Sequence, residues 1–438
     1  MSLYAGCIPR GVLRSKIPRI TSATCNLLHV CAFLYCWNSN IIAHTVLHCI
    51  LLCFTLAYYS KTATERLDGM KHIAFLTLSM SKGGAERVIA NMCNEYLVHH
   101  YQVTIITCMN RPLEYDLDKK IKVVTVDNNA EDAKQNMTAR FLRRRSRLRK
   151  VLGEVSPDVL LCFLPEPNML ACSLKRPWSL RNSLRFPVII SVRNDPVREY
   201  KSKTRQIMMR ALYPKADGYV FQTEDAKNYF NFSKHIMDRA CVIPNPLSRA
   251  FLDVEQPKQR VKKVISVGSL SRQKNQRMLI DAFAKIHDKY PDYVMEICGE
   301  GSLRKKLQTY INENGLSRRI SLTGQVDEIA EQIYDSSLFV MSSDYEGMPN
   351  ALIEAMALGL PCISTDCPCG GPRYLIEDGV NGRLVPVADV TKLSEVMDEM
   401  LSNPEKAEQM GLQARKIQDK LHPDVINAAW DAYINKYL

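Results

Sequence analysis

The sequence predicts an α/β protein with two Rossmann-like domains, each a parallel sheet covered by helices. Short apolar runs alternate with helical patterns from Met70 onward. These runs are continuous rather than alternating, which is typical of strands buried on both faces of a parallel sheet. The pattern restarts after a polar, proline-bearing linker at 243–259. Two domains of similar size with a cleft between them are therefore expected.

The first domain, residues 70–255, is predicted to contain six strands. They are HIAFLTL at 72–78, VTIITC at 103–108, IKVVTV at 121–126, DVLLCF at 158–163, PVIISV at 187–192 and GYVFQ at 218–222. A helix from Ala85 to Leu97 follows the first strand. It places Val88, Ile89 and Met92 on one side, which predicts packing against the sheet.

The second domain, residues 256–438, repeats this organisation. Its predicted strands are KKVISVG at 262–268, YVMEICG at 293–299, RRISLTG at 318–324, SLFVMS at 337–342, PCIST at 361–365 and RLVPV at 383–387. A helix is predicted at 278–290. The C-terminal helices, which end in WDAYINKYL, are predicted to pack back across to the first domain.

Two glutamates in the second domain, Glu346 and Glu354, lie eight positions apart. Asn350 is a good helix cap and Pro349 suits a helix edge, so a helix is predicted to begin here and to stop at Gly359. The free N–H groups of a first helical turn bind phosphate well. Carboxylates accept hydrogen bonds from hydroxyls. The block therefore indicates a ligand with hydroxyls and phosphate, such as a nucleotide-sugar.

From Met70 to its end, about 370 of 438 residues, the chain resembles the GT-B glycosyltransferases of the large retaining family 4. The resemblance rests on GGAER at 83–87, QKN at 273–275, GEG at 299–301 and the Glu346–Glu354 block. It implies the GT-B fold and retaining transfer of a hexose or N-acetylhexosamine from a nucleoside-diphosphate sugar, with UDP expected. A basic segment and a candidate membrane anchor, described below, predict that the acceptor is a membrane-associated glycan or a polyprenyl-diphosphate-linked acceptor in polysaccharide biosynthesis.

The same resemblance implies roles for particular residues. Glu346 contacts the transferred sugar and Glu354 the ribose hydroxyls. Lys274 neutralises the leaving diphosphate. Gly83 and Gly84 border the donor diphosphate and the acceptor, where absent side chains let the backbone approach closely.

Further donor contacts are expected from the N–H groups of Ala351 and Leu352. The family usually places an arginine directly after the glycine of the first strand of this domain, where this chain has Ser269. Arg272 is a candidate replacement for the missing guanidinium. A plain surface charge is the alternative for both Arg272 and Lys274.

A second departure lies at the end of the PVIISV strand, where relatives often carry a histidine near the transferred sugar. This chain has Arg193, Asn194 and Asp195 instead. Arg193 is expected to hold a phosphate or to stabilise charge on the sugar, and Asp195 to orient it. The alternative is a strand-end turn capped by Asp195.

Composition is ordinary for a globular protein, with a net charge of +12 that favours anionic partners. Seven of eleven residues at Arg140–Lys150 are basic. Phe141, Leu148 and Leu152 recur at helical spacing, which predicts an amphipathic helix with a broad cationic face suited to an anionic membrane surface or a lipid diphosphate. Nucleic acid is not favoured because no aromatic residues interleave with the arginines.

The N-terminal extension, residues 1–69, is open to several interpretations. No charged side chain occurs between Arg19 and Lys61, and the stretch 41–59 is long enough to span a bilayer. The basic residues before it would place the remaining chain outside, which conflicts with a cytoplasmic enzyme. A re-entrant hairpin and an upstream translation absent from the working protein are the alternatives. The enzyme is expected at the cytoplasmic membrane face, peripheral or single-pass.

No cofactor or essential metal is expected. Asp116-Leu117-Asp118 spells a DxD motif far from the nucleotide block and is interpreted as chance. Fifteen cysteines are present, and nine of them are scattered beyond residue 69, mostly in apolar segments typical of reduced, buried thiols. Cys362, Cys367 and Cys369 lie close together but lack zinc spacing.

Two other functions fit the pattern less well. One is a GT-B nucleotide-sugar epimerase, which would turn over donor without acceptor; a phosphorylase would need a pyridoxal lysine that the sequence does not reveal. The other is a non-catalytic scaffold that binds RNA or membrane through the arginine run.

Overall fold

The computed structural model describes residues 70–81, 83–127, 136–175 and 184–438. The extension 1–69, with its candidate span at 41–59, lies outside the described residues. Residues 71–438 form one compact unit. Within the described ranges, no helix combines the length and hydropathy that a bilayer span requires.

The first sheet contains seven parallel strands in the described chain, in the order β3-β2-β1-β4-β5-β6-β7. These strands are β1 His72–Thr77, β2 Gln102–Thr107, β3 Lys122–Thr125, β4 Val159–Phe163, β5 Val188–Val192, β6 Gly218–Phe221 and β7 Ala240–Val242. The six predicted strands are confirmed. The seventh has only three half-buried residues, too short for an apolar run to reveal it.

Helices cover this sheet on both faces. They are α1 Gly84–Val98, α2 Met137–Val155, α3 Pro165–Leu174, α4 Pro196–Glu199, α5 Lys203–Leu212, α6 Glu224–Asn228 and α7 Lys234–Met237. The predicted apolar side of α1 is buried, including Val88, Ile89 and Met92. Burial of this stripe against the sheet is what makes the segment helical in context.

The second sheet contains six parallel strands in the order β10-β9-β8-β11-β12-β13 within the described chain. These are β8 Val261–Val267, β9 Val294–Cys298, β10 Ile320–Gly324, β11 Ser336–Met341, β12 Cys362–Thr365 and β13 Arg383–Val385. Strand order reverses beside β1 and β4 in the first sheet and beside β8 and β11 in the second. Ligands of such sheets bind at these switch points, outside the carboxyl ends of the strands.

The second sheet is also covered by helices. They are α8 Gln276–Ala284, α9 Arg304–Glu313, α10 Ile329–Ile333, α11 Asn350–Ala357, α12 Gly371–Leu375, α13 Val390–Ser402, α14 Pro404–Ala414, α15 Ile417–Lys420 and α16 Pro423–Ile434. The predicted helix at 278–290 ends at Ala284 and continues as turns. The first sheet ends at Val242 and the second begins at Val261, on either side of the predicted linker.

The last helix, α16, lies against the first domain. The Trp430 ring is fully buried and stacks on Phe163, with ring centroids 6.0 Å apart. The Tyr433 hydroxyl accepts a hydrogen bond from the backbone N–H of Tyr219 at 2.7 Å. The chain therefore crosses between the sheets twice, in the linker and before α16, and the domains share one core cluster.

Candidate active site

The glutamate block follows β11, at the carboxyl edge of the second sheet. Glu346 lies in the loop and Glu354 in α11, as the sequence predicts. Asn350, however, does not cap the helix: the N-cap is Pro349, without a side-chain hydrogen bond. The Asn350 side chain faces the other domain instead, where Oδ1 accepts from Asn245 at 2.6 Å and Nδ2 donates to the Gly84 carbonyl at 3.3 Å. The Asn350 side chain therefore hydrogen-bonds to residues across the cleft instead of capping its own helix.

The Glu346 carboxylate is buried and surrounded by donors. Its Oε1 accepts from the Lys274 ammonium at 2.6 Å and from the Ser343 hydroxyl at 2.7 Å. Its Oε2 accepts from the Gln273 amide at 3.2 Å. The fold thus joins the loop after β11 to the loop after β8, which lie 72 residues apart in the chain.

Lys274 is positioned by the residues around it. Asn275 adopts a left-handed backbone conformation, caps α8 and donates to Asp344 at 2.8 Å, which anchors the loop. The Lys274 stem passes over Gly268, where an added Cβ would lie 3.1 Å from Lys274 Cε. The glycine therefore leaves room for the lysine to reach the cleft.

Glu354 is buried, and its carboxylate forms an ion pair with the guanidinium of Arg87 in α1 of the first domain. Burial raises the pKa of Glu354 to about 7, while the neighbouring Arg87 opposes this shift. The group expected to meet ribose hydroxyls is therefore occupied by a cation from across the cleft. Arg87 is the last residue of the GGAER motif, and the sequence offers no sign of its contact with Glu354.

The Gly83–Gly84 turn lies between β1 and α1 at the cleft. Gly83 is the extended N-cap of α1. The Tyr115 hydroxyl donates to the Gly83 carbonyl at 2.6 Å and accepts from its N–H at 2.7 Å. Tyr115 thus fixes the turn, and no sequence signal pointed to it.

Arg193 ends β5 and is buried at the cleft. Its guanidinium donates to the side chains of Asn245 and Ser191 and lies 5.3 Å from the centre of the Phe163 ring. No carboxylate of the described chain pairs with it, and its Nε has no partner there. Burial lowers the pKa of Arg193 to about 9. A buried cation without a counter-charge is costly to the fold and well suited to an incoming anion.

Asp195 caps α4, accepting from the Val197 N–H at 3.0 Å, so the turn interpretation holds for this side chain. Its second carboxylate oxygen is buried without a hydrogen bond to the described residues, and the Arg198 guanidinium lies 3.9 Å from it. Burial and the Asp195 charge raise the pKa of nearby Glu199 to about 8. The first domain therefore presents an arginine and two acids beside the end of β5.

The two domains meet at Gly347. A Cβ there would collide with the Gln222 side chain and with the backbone carbonyl of Arg193. Gln222 also accepts from the Met348 N–H at 3.2 Å, and Asn245 donates to the Met348 carbonyl at 3.0 Å. Sequence reasoning missed Gln222 and Asn245; the prolines on both sides of Asn245 were the available signal.

Arg272 and the first-turn N–H groups of α11, which are expected to contact the donor, have positions that give this expectation less support. Arg272 is exposed and forms no hydrogen bond or ion pair with the described chain, so its substitution for the family arginine stays a prediction. The Leu352 N–H donates to the Pro349 carbonyl at 3.2 Å in the first turn of α11. Ala351 precedes it in that turn and is half-buried.

A cavity of about 610 Å³ opens beside the Glu346 loop, between the domains. Its lining residues are Arg198, Asp344, Asp366, Pro368, Leu384, Val385, Pro386 and Val387. The Arg198 guanidinium lies 5.4 Å from the centre of the Tyr345 ring, across the mouth of the cleft. A cavity of this size lies within the usual range for small-ligand sites.

The basic segment 140–150 lies in α2, as predicted, but its cationic face is narrower than expected. Arg144 is buried and pairs with Glu166 at 2.5 Å and Asp127 at 2.9 Å. Arg145 donates to Ser173. The exposed row contains Leu142, Ser146 and Lys150, with Arg143 exposed beside it. The remaining basic residues of the run are buried or half-buried, because eleven consecutive residues extend around the whole helix.

Among the described residues, no three His, Cys, Asp or Glu side chains lie close enough together to hold a metal ion. Asp118 accepts from the Lys120 N–H at 2.8 Å in an exposed loop. Cys367 and Cys369 are buried thiols, and burial raises the pKa of each to about 12. The metal expectation itself stays untested.

Two family models together match most of the described chain. Glycosyltransferase Family 4 matches residues 82–250, and Glycosyl transferases group 1 matches residues 249–417. The chain is 31% identical over 258 residues to the uncharacterized glycosyltransferase MJ1059 of Methanocaldococcus jannaschii, covering 54% of this chain and 62% of that protein.

A Campylobacter jejuni relative is 26% identical over 338 residues, covering 76% of this chain and 90% of that protein. Its name is GalNAc-alpha-(1->4)-GalNAc-alpha-(1->3)-diNAcBac-PP-undecaprenol alpha-1,4-N-acetyl-D-galactosaminyltransferase. Among solved structures, Anabaena HepE in complex with UDP and glucose superposes with a TM-score of 0.71 at 17% identity, covering 84% of this chain and all of that one. The chain therefore belongs to the group 1 glycosyltransferases and is a glycosyltransferase with the GT-B fold.

Proposed function

We propose that this enzyme transfers a hexose or N-acetylhexosamine, with retention of configuration, from a UDP-sugar to a glycan carried on a lipid diphosphate. The observation that carries the proposal is the Lys274–Glu346 pair, buried at the switch point of the second sheet beside the first turn of α11. A fixed ammonium beside a phosphate-binding helix start suits a departing diphosphate. A carboxylate held by three donors suits a precisely placed sugar hydroxyl.

In the proposed reaction, an acceptor hydroxyl oxygen bonds to the anomeric carbon of the sugar while the bond from that carbon to the diphosphate oxygen breaks. The acceptor proton passes to the departing diphosphate. Lys274 neutralises the charge that develops on the leaving oxygen, and Glu354 holds the ribose. Arg193, a buried cation on the opposite wall, stabilises negative charge between the domains. No essential metal is part of the proposal, so activity is expected to survive EDTA.

The lipid-linked acceptor is supported by the Campylobacter jejuni relative, whose name specifies an undecaprenyl-diphosphate glycan. The exposed row of α2, with Leu142 and Lys150, offers an apolar side chain and a charge to an anionic cytoplasmic membrane face. We propose peripheral attachment through this row. Sedimentation with anionic and neutral vesicles tests it: Leu142→Asp combined with Lys150→Glu should lose binding to anionic vesicles, and equal binding by this variant would contradict the proposal.

The function is tested by incubating the purified protein with UDP- and GDP-sugars and a polyprenyl-diphosphate-linked acceptor. Release of UDP that depends on acceptor, with an α-linked product from an α-linked donor, is the expected result. Conversion of donor to an epimer without acceptor would favour the epimerase. RNA binding with a steep salt dependence, and no nucleotide-sugar turnover, would favour the scaffold.

A further inference from the structure

The Arg87–Glu354 ion pair joins the two domains at the donor end of the cleft. The Glu354 side chain is 5% exposed, whereas the Arg87 side chain is 32% exposed. The carboxylate is therefore embedded in its domain, and the guanidinium reaches it from the side open to solvent. Arg87 is the group that can move.

Arg87 lies in the first turn of α1, directly after the Gly83–Gly84 turn, and its N–H donates to the Gly83 carbonyl at 3.1 Å. The Gly84 carbonyl accepts from Asn350 at the start of α11. Arg87 thus lies between two helix N-termini that attract phosphate, beside the carboxylate proposed to hold the ribose. These are the groups that the two halves of a nucleoside diphosphate would contact.

Arg87 satisfies the Glu354 carboxylate, which would otherwise be buried without a partner, a costly arrangement. Two vicinal ribose hydroxyls need the same oxygens of Glu354. The ribose and the guanidinium therefore compete. A displaced guanidinium needs another anion, and a diphosphate offers one with strong, forked hydrogen bonds.

We propose that Arg87 is a donor-binding residue that changes partner: it pairs with Glu354 in the empty enzyme and with the donor diphosphate once ribose occupies Glu354. This inference rests on the proposed function of the site. According to this inference, the phosphates give Arg87 a new partner and so offset the free-energy cost of breaking the ion pair, which the nucleoside cannot do. A nucleoside alone breaks the pair without replacing it.

The consequence is measurable as a preference for UDP over uridine. In the wild type, uridine must displace Arg87 unaided, and UDP recovers the lost contact. Arg87→Met removes both effects, so uridine should bind more tightly and UDP less tightly. The ratio of the uridine Kd to the UDP Kd should fall at least tenfold, because the variant both removes the competition for Glu354 and loses the charged contact with the diphosphate. Arg87→Lys, which keeps the charge but not the fork, should give an intermediate ratio.

Calorimetric titration of uridine and UDP into wild type, Arg87→Met, Arg87→Lys and Arg249→Met tests this. Arg249 is a matched control because it also joins separate elements, pairing with Glu95 and Asp424 at the surface, and its loss should leave the ratio unchanged. Circular dichroism establishes that each variant is folded. UDP binding by the wild type with an unchanged ratio in Arg87→Met would overturn this inference alone. Absence of UDP binding by the wild type would overturn the proposed donor as well.

Discussion

The Lys274 ammonium lies 2.6 Å from the Glu346 carboxylate, and this contact joins the loops that follow β8 and β11. Both side chains are largely buried, so the pair is shielded from solvent. Each group holds the other in place at the edge of the second sheet. A donor sugar and its diphosphate would find both polar groups already oriented, which reduces the reorganisation needed during transfer.

Loss of the lysine should strongly reduce transfer without unfolding the protein. Lys274→Met removes the fixed positive charge at the leaving group, so turnover should fall by about 10²–10³. Glu346 retains Ser343 and Gln273 as donors, so the unfolding free energy should change little. Acceptor-dependent UDP release and urea unfolding measure the two effects. Lys289→Met, which removes an exposed lysine paired with Asp398, is the control, and near-normal turnover in Lys274→Met would show that the site is misassigned.

Glu354→Gln should stabilise the protein at alkaline pH while it weakens nucleotide binding. The folded pKa of Glu354 is about 7, above the ordinary value of 4.5. The folded state therefore binds more protons than the unfolded state between these values, and this carboxylate makes the unfolding free energy fall as pH rises through that window. Glutamine does not titrate.

The stability difference between Glu354→Gln and wild type should therefore grow by about 1–3 kcal/mol from pH 5 to pH 8. Urea unfolding at both pH values measures it. A difference that stays constant with pH would mean that Glu354 is not held in a desolvated site.

Gly347→Ala should block closure of the cleft. The added Cβ would collide with Gln222 and with the Arg193 carbonyl across the domain boundary, so the domains must separate. Transfer should drop by about 10²-fold, because misplacement of reacting groups by about 1 Å has this effect. UDP should still bind, though more weakly, because Lys274 and Glu354 of the second domain are proposed to hold it even when Arg87 of the first domain is moved away.

Gly153→Ala is the control for that experiment. Gly153 lies inside α2 with nothing within 4 Å of an added Cβ, and alanine should add about 0.5–1 kcal/mol of helix stability. Normal turnover in Gly347→Ala would mean that the close approach of the domains is not needed for catalysis.

Arg193→Met should lower the turnover of the enzyme without lowering its unfolding free energy. The wild-type guanidinium is buried without a carboxylate partner in the described chain, so an apolar side chain of similar length should leave the unfolding free energy equal or higher by about 1–2 kcal/mol. Turnover should fall at least 100-fold if Arg193 stabilises developing charge. Thermal unfolding and steady-state kinetics measure these effects. A variant that is both unstable and fully active would contradict the role.

The sequence alone determined the fold class and most of the strands, because short continuous apolar runs that alternate with helical patterns are typical of parallel sheets covered on both faces. It also predicted that the candidate site would be built from the loop after β8 and the segment after β11, since Glu346, Glu354 and Lys274 stand in recognisable local patterns. The roles of these residues remain predictions, whereas their proximity is observed in the structure. The topological switch point places all three at one edge of the second sheet.

The tertiary structure alone decided which residues meet across the cleft. Asn350 has the local chemistry of a cap, yet it contacts Asn245 and Gly84 because closure brings those groups nearer than its own helix N–H groups. Arg87 sits on α1, 267 positions before Glu354 in the numbering, and no periodicity connects them. Arg144 belongs to a basic run but is buried, because a helix that packs on a sheet must turn one side inward. Such long-range pairings depend on domain geometry, which local patterns do not encode.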